Sequence, residues 1–145
     1  MKASIILLGF FLSTYAAAQT NPPIETPCSR ENSHAEQRTC LISENAKSER
    51  FLVSTEKNLI IALQHWDEDA GYKVRSITAL KSASTSFRRM RTIDCEFQAT
   101  LATGGNGAGD MRLICQIEFN MRRIAQLQNV TKSLSIERQG EYIAR

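Results

Sequence analysis

Apolar residues recur along this chain at the spacing of a helix rather than a strand. Leu52, Leu59, Leu63 and Trp66 are separated by seven, four and three positions, which places them on one helical face. Ile77, Leu80, Ser84, Phe87, Arg91 and Asp94 form a second stripe, and Leu113, Ile117, Met121, Ile124 and Leu127 form a third. Ser33-His34-Ala35-Glu36 has the Ser-x-x-Glu form of a capping box, so the first helix is expected to begin there. The second is expected from about Lys73 to Leu101. Asp67-Glu68-Asp69 precedes it as a loop, where negative charge suits the helix dipole. Asp110 is the expected N-cap of the third. No proline follows Pro27, and beyond it the glycines fall at Gly71, between Gly104 and Gly109, and at Gly140, where breaks are needed. The pattern predicts an all-α fold, a small antiparallel three-helix domain.

Two segments fall outside that pattern. Met1-Lys2 leads into an apolar run from Ile5 to Ala18, about 14 residues and too short to cross a bilayer. Ala16-Ala17-Ala18 supplies the small residues of a cleavage site, so residues 1–18 read as a signal peptide cut before Gln19. Residues 19–27 hold all three prolines and read as an extended arm. The helical domain is then 28–134, followed by a polar tail, 135–145, expected to be loose. This organisation implies a periplasmic or secreted protein with no membrane-spanning segment. Without Lys2 the chain carries 17 basic and 15 acidic residues, a net charge of +2 that gives no reason to expect a nucleic-acid partner.

Export implies an oxidising compartment, where four cysteines read as two disulfides. Of the three possible pairings, spacing favours Cys28–Cys40 with Cys95–Cys115. Cys95 and Cys115 are symmetric about Gly105, so a glycine turn between antiparallel helices sets both sulfurs at one height. Twelve residues of straight helix would hold Cys28 about 18 Å from Cys40, so that bridge demands a chain reversal near Ser33. Gaps of eleven and nineteen residues do not suit a zinc site.

No motif points to catalysis or a cofactor. Asp67-Glu68-Asp69-Ala70-Gly71 lacks the glycine and glutamate that a calcium loop needs at its sixth and twelfth positions, where Tyr72 and Thr78 stand. The glycine run lacks the Lys-Ser/Thr of a phosphate loop. His34 and His65 have no nucleophile arrangement beside them in sequence. Arg88, Arg89, Arg122 and Arg123 read as surface charges. Arg91 differs, because it falls on the apolar stripe and needs a carboxylate; Asp94 and Glu118 are the candidates for a structural ion pair. The tip, Gly104, Gly105, Asn106 and Gly107, is the candidate partner-binding element, with Asn106 its polar side chain.

The chain also resembles a known family, the LprI-like lysozyme inhibitor N-terminal domain. Leu80, Ala83, Phe87, Arg91, Cys95 and Phe97 stand in the family's register, followed by Gly104-Gly105 and by Cys115, Arg123 and Leu127. Cys28, Cys40 and Leu52 match its N-terminal half. Ser84-Thr85 and Phe87 replace the usual Gln-Arg and Trp, and Val53 the usual Asn. The resemblance implies an exported helical domain that binds a protein and, as in some members, inhibits a lysozyme by blocking its cleft without catalysis. An envelope-associated interaction protein with another partner is the alternative, and a cell-wall enzyme the rival from another class.

Overall fold

The structure is a computed structural model. It describes residues 28–102, 105 and 107–143, with side chains described to residue 135. The expected signal peptide and arm, and Gly104 and Asn106 of the tip, lie outside the described residues. Three helices make up the fold: α1 (His34–Gln64), α2 (Ala70–Thr100) and α3 (Gly107–Ile143). No strand occurs among the described residues.

The start of α1 follows the capping-box logic. Ser33 is extended, at φ −140° and ψ 154°, and its Oγ accepts from the Glu36 backbone N–H at 3.3 Å. The same hydroxyl donates to Glu36 Oε2 at 3.0 Å, so here the glutamate returns to the side chain of the cap. A turn at residues 28–30 supplies the expected reversal and buries Cys28 against α1. The α1–α2 connection is the acidic segment, with the Tyr72 and Lys73 N–H groups bonded to the Asp69 carbonyl. Helix α2 therefore begins at Ala70, a turn before the expected start.

Side-chain pairs fix the directions. Arg112 meets Glu96, and Phe119 lies by Phe87, so α2 and α3 run antiparallel. Asp110 meets Arg38, Gln116 meets Asn45 and Asn120 meets Ser48, so α1 and α3 run side by side in the same sense. The apolar core occupies the half of the domain nearer the α1–α2 connection. Leu52, Leu59, Leu63, Ile124, Leu127 and Leu134 are buried there, with Trp66, Ile77, Leu80 and Phe87 packed against them.

Two expectations are corrected. The α3 stripe turns inward through Asn120, which is fully buried, while Met121 is half-exposed on the outer surface. One residue is 100° of helix, and the run Leu113, Asn120, Leu127, Leu134 at spacing seven is the one that faces α1 and α2. The backbone after Leu134, expected as a loose tail, continues as helix to Ile143. Because α3 runs parallel to α1, this stretch draws level with the end of α1; Ser135 lies in a cleft with Asn58, Ile61 and His65.

Candidate functional site at the hairpin end

Both disulfides form with the expected pairing, and no described cysteine is free. The Cα atoms of Cys95 and Cys115 are 5.5 Å apart, and those of Cys28 and Cys40 5.8 Å. Both bridges lie beyond the main apolar cluster, in the half of the domain where Leu41 and Ala99 are buried beside them. Cys95–Cys115 closes the α2–α3 hairpin a few turns below the tip, where the Ala108 N–H bonds to the Gly105 carbonyl. Beside it, Arg112 donates two bonds to Glu96, at 2.8 and 2.9 Å. Those bonds hold the Glu96 carboxyl below its ordinary range and raise the Arg112 guanidinium.

Asp110 was expected to cap α3, but α3 begins three residues earlier, at Gly107. Its buried carboxylate instead reaches α1, accepting from Arg38 at 2.8 Å and meeting His34 Nε2 at 2.6 Å. Gly109 makes room for this clamp. A Cβ there would lie 3.0 Å from the Arg38 guanidinium carbon, with its nitrogens nearer still. The start of α1 is thus tied to the same end as the hairpin, and all three helices are fixed near the tip.

Below the clamp lies a polar layer. Arg91 is buried and ion-paired, as its stripe position requires, but its partner is Glu49 of α1 and not Asp94 or Glu118. Glu118 pairs with Arg122 on its own helix at 2.9 Å, because its side of α3 turns away from α2. Arg91 also donates to the Asn120 carbonyl oxygen, and the Asn120 amide donates to Ser48 Oγ at 2.9 Å and Glu49 at 3.3 Å. The guanidinium stands 5.8 Å from the centre of the Phe87 ring. Neither Glu49 nor Asn120 was expected here. A second α1–α2 tie joins Arg88 to Glu56 at 2.7 Å, and that hydrogen bond raises the Arg88 pKa. On the outer side, between α1 and α3, Phe51, Ile117 and Met121 line an apolar groove of about 460 Å³ rimmed by Lys47, Glu118 and Arg122.

Among the described residues no group of His, Cys, Asp and Glu is placed to hold a metal, and no helix is long and apolar enough to cross a membrane. His34 and Asp110 do meet, yet their neighbour is Arg38, a structural cation rather than a nucleophile. Long helices, a one-sided apolar core and a bonded, bridged hairpin end define a disulfide-stapled helical scaffold.

The profile of the family described as lysozyme inhibitor LprI matches residues 28–127, a span that takes in all four cysteines, the polar layer and the hairpin tip. The chain belongs to that family. No curated protein and no solved structure matches it. The disulfides and the family are both compatible with export.

Proposed function

We propose that this chain is an exported, non-catalytic inhibitor of a lysozyme that acts by occupying the enzyme's cleft. The observation that carries the reading is the family match across residues 28–127. The geometry supports a binding role for the hairpin end. Cys95–Cys115, Glu96–Arg112 and the Asp110 clamp stiffen the helices directly behind the tip, so little conformational freedom is left to lose on binding. The inserting element is Gly104 to Gly107, a sequence without bulky side chains, with Asn106 as its hydrogen-bonding group.

The test is inhibition of a chicken-type lysozyme in a cell-wall clearing assay, using the wild type and Asn106→Trp. Wild-type inhibition at stoichiometric ratio, lost in the variant, is expected. Inhibition that survives the bulky substitution overturns tip insertion. Absence of inhibition in both overturns the lysozyme reading itself.

A further inference from the structure

The side of α2 turned away from the core carries a second heptad pattern that the packed domain does not use. Tyr72, Ala79, Ser86 and Ile93 recur at spacing seven, and so do Ala83, Met90 and Phe97; all are exposed. Met90 is 45%, Ile93 59%, Phe97 63% and Leu101 62% accessible, so the C-terminal half of this face is an apolar stripe covered by no described residue. Isolated exposed apolar residues are ordinary, but a continuous row at helical spacing is the pattern of a helix seam.

We propose that a second copy of this chain docks on this face, with the two α2 helices antiparallel about a two-fold axis. The order of side chains carries the argument. Between Ala79 and Phe97 the C-terminal half of the face is large (Met90, Ile93, Phe97) and the N-terminal half small (Ala79, Ala83, Ser86), with Tyr72 lying beyond the overlap. In the antiparallel register whose two-fold lies level with residue 88, Phe97 falls beside Ala79, Ile93 beside Ala83, and Met90 beside Ser86. One register matches all three large residues to small ones, and the pairing is reciprocal, as an isologous contact requires. The small positions let the helix axes approach closely. A parallel pairing would set Phe97 on Phe97 and Ala79 on Ala79, leaving a bulge at one end and a gap at the other.

The exposed side chains of this face would have to be covered almost completely for the pair to reach the roughly 1,200 Å² of a specific interface, so the dimer is weak and concentration-dependent. Arg89 stands one residue from the two-fold and so faces its own copy, which makes association stronger as salt screens that repulsion.

Sedimentation velocity of the exported protein over a concentration series tests this, with Phe97→Glu and Ala83→Trp as variants. Both sites are exposed, so both variants are expected to keep the wild-type melting curve. The wild type should shift toward twice the mass of one chain, and Phe97→Glu should remain a single chain. Ala83→Trp is the discriminating case: it adds apolar surface but fills the hollow that receives Ile93, so it should also remain a single chain. Association of Ala83→Trp as strong as the wild type would overturn the packing. So would a wild type that stays single throughout, including one whose lysozyme binding is lost in Phe97→Glu, which would assign the face to a different partner.

Discussion

Replacing Arg91 with alanine should be among the most destabilising single changes on α2. The substitution leaves two groups behind. Asn120 is 0% exposed, and its carbonyl oxygen would lose the Arg91 donor, a cost of about 1–3 kcal/mol for a buried unsatisfied acceptor. The Glu49 side chain is 34% exposed, so its lost pair costs less than the roughly 3–5 kcal/mol of a fully buried one, about 1 kcal/mol after solvent screening. The sum is about 3 kcal/mol, which for a domain near this size lowers Tm by about 12 °C or more. Replacing the whole layer should behave differently. In Arg91→Leu/Glu49→Leu/Asn120→Leu no polar group is stranded, since Ser48 still donates to the Asn45 carbonyl at 2.8 Å. The desolvation penalty also disappears, including that of Arg91 Nε, which is buried without an acceptor among the described residues. The triple variant should therefore melt at or above the wild type. Thermal and urea unfolding under non-reducing conditions measure both. A loss under about 1 kcal/mol for Arg91→Ala, or a triple variant no better than that single change, would refute the account of this layer.

Removing the hairpin bridge with Cys95→Ser/Cys115→Ser should cost about 3 kcal/mol, the loop-closure value for a loop of this length, with urea midpoints as the readout. An unchanged midpoint would show that the bridge adds nothing to the packed helices. Glu96, held below its ordinary pKa by Arg112, should titrate low by carboxyl NMR and move up in Arg112→Gln. The sign follows from that depression: the pair's contribution is complete above the unfolded pKa and fades as pH falls through the folded one, so a Glu96 midpoint unmoved by Arg112→Gln would remove the pair as its cause.

Much of this fold was legible because it is written in local patterns. The Ser33–Glu36 cap, the heptads of α1 and α2 and the cysteine symmetry about Gly105 are all relations between residues close in sequence, and all appear in the structure. The errors arose where a partner comes from a distant helix. Arg91 was read correctly as needing a carboxylate, but helical spacing offers only neighbours, and Glu49 lies 42 positions upstream. Asp110 looked like a cap because caps are local, whereas its partners, His34 and Arg38, stand more than 70 residues away. Hydrophobicity alone points to Met121 rather than to the buried Asn120 beside it. A stricter heptad reading would have found it, since Ser48 follows Leu41, Arg91 follows Ser84 and Asn120 follows Leu113, each by seven. Ser48 and Asn120 interrupting leucine rows, level with a row already polar at Ser84 and Arg91, are the signature of a polar layer.

The uneven distribution of bonds bears on the proposed function. A helical domain could be closed by leucines from end to end, but here the contiguous apolar cluster ends at Leu52, and beyond it the separate Leu41 is joined by Arg91–Glu49, the Asp110 clamp and two disulfides. Apolar contacts are non-directional and tolerate small shifts of one helix along another. A charge-assisted hydrogen bond or a disulfide fixes the register. For an inhibitor that works by shape, position matters at the end that meets the enzyme and bulk stability can be supplied from the other. On that reading the directional ties belong at the hairpin end and the leucines at the far end, and most of the residues are divided in that way, Leu41 and the Arg88–Glu56 pair being the exceptions.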